Sequence, residues 1–225
     1  MQNETSNDIG TLEADVRNAV EHNHDVQEAV RQLTLRRISA RSLDIESLRQ
    51  IASAVLRGAR AAVQKELNLS SAQTETARVQ LKQTVAGLDA AFAQLVSASK
   101  LAIEEASGRA QQFSSEDLTR ARADFESLET IFLETLQESV ADAKDAASEI
   151  LHNLASHSRT HGTAVGGQIK EALAVIAHQL SAAGHAQAVA GLHLAQATTD
   201  LLRQIAAGVL TGIANHVEPT RNKEG

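Results

Sequence analysis

Residues 81–102, LKQTVAGLDAAFAQLVSASKLA, decide the fold class. Leu81, Val85, Leu88, Phe92, Leu95, Ser99 and Ala102 follow one another at alternating steps of four and three. That spacing draws a single apolar seam along an α-helix and leaves no period-two alternation for a strand. The pattern predicts a helix from Ser70 or Ser71 to about Phe113, a rod of about 60 Å at 1.5 Å per residue.

The same spacing recurs on both sides. Upstream, Leu12, Val16, Ala19, Asn23, Val26, Val30 and Leu33 form a seam that Thr11 can cap and that Asn23, flanked by His22 and His24, interrupts. A second helix, capped by Ser42 or Asp44, carries Leu48, Ile51, Val55, Ala59 and Ala62 and runs to about Leu69. Downstream, Ser114 with Asp117 three residues on is a capping-box pattern. It opens a seam of Leu118, Ala121, Phe125, Leu128, Phe132, Leu136, Val140, Ala143, Ala147, Ile150 and Leu154. The successive steps of four from Leu128 to Val140 are a stutter that relaxes a left-handed supercoil. The expected architecture is all-α: an elongated antiparallel helical bundle of long, coiled-coil-like helices. It divides into a disordered tail at 1–10, a helical hairpin at 11–69, a long hairpin at 70–156, an Ala/Gly-rich helical segment at 157–218 and a tail at 219–225.

Composition narrows the chemistry. The 225 residues include 40 Ala, four Phe, one Pro and no Cys, Trp or Tyr. A core built from Ala, Leu, Ile and Val packs helices closely, and the missing Cys removes disulfides, thiol nucleophiles and Cys-based zinc sites. No nucleophile elbow, P-loop or dinucleotide fingerprint occurs, and carboxylate pairs such as Glu104/Glu105 read as solvated helix faces. No enzyme and no cofactor is expected. The net charge of −7 argues against a nucleic-acid partner. The one basic segment, 31–65, holds eight basic residues against Asp44 and Glu46. Arg31, Arg36, Arg37 and Arg41 are its candidate anion patch, with a face paired to acidic neighbours as the plainer reading. The N-terminus, Met1 to Asp8, is polar and acidic with no basic stretch leading into an apolar one, so a cytoplasmic protein is expected.

The last third differs. Ala172 to Thr199 holds no full charge. Ile169, Leu173, Ile176, Leu180 and Leu194 share one stripe, and Leu201, Ile205, Val209 and Ile213 continue it at steps of four. These nine residues are the candidate apolar interaction face, suited to adsorption on an apolar surface or to a partner helix. Gly162/Gly166 and Gly208/Gly212 have the small-residue spacing that lets helices approach closely. Recurrent His and Gln exclude a spanning helix, so any membrane contact is peripheral. His157 and His161 lie four apart, but the polar run 156–162 reads as a loop and offers two ligands where a closed site takes three or four; no metal is expected. His178, His185 and His193 mark a polar stripe.

Residues 117–217 resemble the phasins, bacterial proteins that coat polyhydroxyalkanoate granules. The likeness rests on Phe125-Glu126-Ser127-Leu128, on Ala141-Asp142-Ala143-Lys144-Asp145-Ala146-Ala147 and on the Ala/Gln texture after Gln168. It implies binding to a granule surface, oligomerisation and no catalysis. The alternative from the residues alone is a soluble scaffold or adaptor that binds a protein partner through its helix faces and never meets lipid; a homo-oligomer or a protein partner is expected on either reading.

Overall fold

The apolar seams become seven helices in the computed structural model, which describes residues 2–39, 44–69, 74–108 and 114–186. They are α1 (Gln2–His22), α2 (Val26–Ser39), α3 (Ile45–Leu69), α4 (Thr74–Gly108), α5 (Ser115–Ala141), α6 (Asp145–His161) and α7 (Ala164–Ala186). The protein is all-α, and no strand occurs among the described residues. Helix α4, 35 residues long, spans about 52 Å and sets the length of the bundle.

Side-chain pairs between helices fix their directions. Arg57 bonds Glu13 and Lys65 bonds Glu21, so α1 and α3 run parallel. Arg49 meets Glu134 while Arg60 meets Asp142, which makes α3 and α5 parallel. Gly87 lies against Gln27 and Val30, and Gln94 accepts from Arg31, so α2 runs with α4. Asp89 bonds Ala164 and Lys100 bonds Glu171, so α7 also follows α4. Ser148 near the start of α6 bonds Val140 while Thr163 just past its end bonds Glu129, so α6 runs against α5; consecutive helices from α1 to α6 alternate in direction, and the expected antiparallel bundle is what forms. Helix α7 departs from the alternation by continuing in the sense of α6.

One core joins all seven. Leu12, Val30, Val55, Leu88, Phe132, Leu151 and Ala172, one from each helix in turn, belong to a single buried cluster. Phe92 and Phe132 meet in it edge to face, centroids 6.5 Å apart. Elsewhere the core is small: Ala52, Ala54, Ala59, Ala62, Ala77, Ala91 and Ala98 are all buried. A second, smaller cluster of Ile103, Ala106, Leu118 and Ile176 fills the end where α4, α5 and α7 meet, and Phe125 packs against both.

Four boundaries differ from the sequence expectation. Helix α1 begins at Gln2, so the run 2–10 expected as a tail is helical and Gly10 lies inside the helix. The upstream seam is two helices: the chain breaks at 23–25, and the Asp25 carboxylate accepts from the amide of Glu28 to cap α2. The downstream seam is also two helices, because the chain reverses at 142–144 with Asp145 at φ +49°, a conformation Asp tolerates better than most residues. The polar run after Ala155 stays helical to His161, and only Gly162, at φ +83°, ends it. The capping expectations at Asp44 and Ser114 do hold: Ser47 donates its amide to Asp44 at 2.8 Å and Asp117 donates to Ser114 Oγ at 3.1 Å. Ser42, Ser70, Ser71 and Phe113 lie outside the described residues.

Candidate functional site

The joint between α6 and α7 is a polar construction shared with α4 and α5, and Gly162 starts it. Its left-handed backbone stops α6 and sends the chain into α7 after one further residue, Thr163. The first amides of any helix lack partners inside it. Here Asp89 of α4 supplies them: its carboxylate accepts from Ala164 N at 2.7 Å and from Val165 N at 2.9 Å. Thr163 Oγ1 accepts from Gly166 N at 2.9 Å and donates to Glu129 Oε1 of α5 at 2.8 Å. Two helices thus hold the positive end of a third, where carboxylates are favoured. Burial pushes the Asp89 carboxyl above the usual aspartate value, the two amides pull it back, and the neighbouring Glu129 charge pushes it further up.

Helix α7 then lays its apolar face inward. Ile169, Ala172 and Ile176 are buried against the core, and Leu173 and Leu180 are half-buried. The first part of the candidate interaction face is consequently spent inside the bundle. Leu194, Leu201, Ile205, Val209 and Ile213 lie outside the described residues.

The small-residue expectation is corrected at Gly162. A Cβ there would meet nothing within 4 Å, so Gly162 serves as a helix terminator and not as a close-approach residue. Gly166 does sit against a neighbour, the carboxyl end of Glu129. Gly208 and Gly212 lie outside the described residues. The closest helix crossings are elsewhere. A Cβ on Gly58 of α3 would strike the Glu13 carbonyl of α1 and approach Val16 Cβ to 3.1 Å; one on Gly87 of α4 would strike the Gln27 carbonyl of α2 and approach Val30 Cβ to 3.0 Å. Their signal in the sequence is a single glycine inside a long helix, beside its apolar seam, where its helix cost needs a compensating contact.

The basic segment is largely neutralised from within. Arg31 grips Glu28 through Nε and Nη2 and donates Nη1 to Gln94. Arg49 meets Glu134 at 2.9 Å, Arg57 meets Glu13 at 2.9 Å, Arg60 meets Asp142 at 3.5 Å and Lys65 meets Glu21 at 3.2 Å. These pairs tie α3 to α1 and α5. As an open anion patch the set Arg31, Arg36, Arg37 and Arg41 is therefore not assembled: Arg31 is occupied, Arg36 is exposed, Arg37 is partly buried and Arg41 lies outside the described residues.

A family model described as a family of unknown function (DUF6781) matches residues 2–219. The chain belongs to that family. No curated protein and no solved structure matches it. The phasin resemblance gains no support from these comparisons, whereas the match to DUF6781 runs through every helix of the bundle. No described helix of this DUF6781 member is long and apolar enough to cross a membrane. No group of three or more His, Asp or Glu side chains is gathered for a metal ion among the described residues. His157 and His161, expected in a loop, instead stand on the last helical turn of α6 with their rings stacked.

Proposed function

We propose that this protein is a non-enzymatic helical scaffold that binds a protein partner, another protein or a second copy, through the outer faces of its bundle. The observation that carries this reading is the placement of α7. Ile169 and Ile176, in the first part of the apolar stripe, are 5% and 0% exposed. The part of the stripe that packs into the core is not free to lie on a granule or a bilayer. The outer surface agrees: Val79 and Leu101, both on α4, are the exposed large apolar side chains among the described residues, and two scattered residues do not make a lipid-facing patch. Its helix faces are instead lined by charged pairs such as Arg122–Glu126 and Arg120–Glu116.

A second reading has one observation in its favour. Leu201, Ile205, Val209 and Ile213 keep a spacing of four beyond the bundle's described part, following a stretch without full charges. On that reading residues 187–217 alone would engage an apolar surface, as the phasin resemblance implies. Flotation of the full chain with neutral liposomes and with polyhydroxybutyrate particles separates the two. The scaffold reading expects the folded chain to stay at the bottom of the gradient. Co-flotation that is lost in the variant Leu201→Gln, Ile205→Gln, Val209→Gln, with its helical circular dichroism unchanged, would overturn it in favour of the surface binder.

A further inference from the structure

His157 and His161 are both exposed on the last turn of α6, with ring centroids 4.2 Å apart and planes inclined by only 26°. Side chains four apart share a helix face, and the stacking shows that these two leave the helix in the same direction. A hydrogen bond then distinguishes the ring nitrogens of His161. Its Nδ1 lies 3.2 Å from the His157 carbonyl oxygen. A carbonyl offers only lone pairs, so Nδ1 carries the proton, and Nε2 of the neutral ring keeps a bare lone pair at the outer edge. Metal-bound histidines show this division of labour, with one nitrogen donating to a backbone carbonyl and the other facing the ion.

We propose that His157 and His161 form a two-imidazole site for a divalent transition cation of the Cu²⁺, Ni²⁺ and Zn²⁺ class, bound through one nitrogen from each ring once the exposed rings turn out of their stack to face it edge-on, with water completing its shell. Imidazole selects these ions over Mg²⁺ and Ca²⁺, which take oxygen ligands. With two protein ligands the site is open, unlike a closed four-ligand structural zinc site. Its place in the fold gives it a consequence. The ion would tie position 157 to position 161 and so brace the end of α6 just before Gly162. The pair is also unique in the chain: of nine His, no other two stand four apart. His22 makes the same backbone bond, to the Asn18 carbonyl at 3.0 Å, but Asn18 and Val26 occupy the positions one turn away.

The test is competition of the full chain against a metallochromic indicator for Ni²⁺ and Zn²⁺, with thermal melting as a second readout. His157→Gln and His161→Gln should each weaken the tightest site by at least the roughly ten-fold that disturbing even an outer-shell partner costs. His22→Gln and His152→Gln should leave it unchanged. Ni²⁺ should raise the melting temperature of the parent chain and of these two controls, and not of the His157 and His161 variants. Melting without metal shows that every variant folds. Equal affinity in the parent and the His157→Gln, His161→Gln double variant, including no measurable binding by either, overturns the site. So does a rise in melting temperature with Mg²⁺ as large as that with Ni²⁺.

Discussion

Gly58 and Gly87 show how one atom sets a helix crossing. In an exposed helix interior, replacing Gly by Ala gains up to about 1 kcal/mol by restricting the unfolded chain. At these two positions the added methyl meets backbone carbonyls of α1 and α2, which cannot swing aside as a side-chain tip can. Overpacking of this kind costs about 1–3 kcal/mol. Gly58→Ala and Gly87→Ala are therefore expected to lower stability in urea titrations, whereas Gly10→Ala and Gly167→Ala, with nothing within 4 Å of the new methyl, should leave it level or raise it. A gain at Gly58 or Gly87 would show that the crossings open without cost. These two glycines were legible in principle, because a lone glycine in the interior of a long helix asks for a reason. Their partners were not, since nothing in the spacing of α3 or α4 says which helix will cross there.

Among the elements, α7 depends most on residues remote in sequence. Asp89 stands 75 positions from the amide it accepts from, and local spacing carries no trace of that pairing. Its titration gives the contact a sign. Because the folded chain holds the Asp89 proton more tightly than the unfolded chain does, the stability this group contributes is full below the ordinary aspartate value and is lost as pH rises through the folded value. Glu28, held below the usual carboxylate range by its hydrogen bonds from Arg31, has the opposite sign and loses its contribution as pH falls. Asp89→Asn removes the first effect and keeps the second. The stability of the parent chain relative to Asp89→Asn should accordingly fall as pH rises from the ordinary aspartate value of about 3.9 upward. A difference that grows with pH in paired urea titrations would mean that the two α7 amides outweigh burial. Elements capped within their own sequence were easier to read. Asp44 and Ser114 show their caps three residues ahead, whereas the breaks at 23–25 and 142–144 fall in seams whose four-three spacing continues past them, through the polar Asn23 in the first, so periodicity alone joined what the turns separate.

The whole molecule is better described by its core than by the hairpins into which the sequence divides. Composition and periodicity were sufficient for the class, since an Ala-rich chain with repeated four-three seams has no other economical way to bury them. They could not show that one cluster would take a residue from every helix, because that depends on tertiary pairing. Phe132 tests the consequence. It is 1% exposed on α5 and meets Phe92 of α4 edge to face, so removing its ring leaves a cavity that α4 and α5 cannot readily close. Phe132→Ala should cost about 3–5 kcal/mol. If the core is a single cooperative unit, native-state hydrogen exchange in rising denaturant will register that loss equally at the slowest amides of α1, around Val16 and Val20, and of α7, around Ala172. Should α1 and α3 keep their protection while α5 to α7 lose theirs, the chain contains two units that unfold separately. The Glu13–Arg57 and Glu21–Lys65 pairs would then hold together an N-terminal unit of its own.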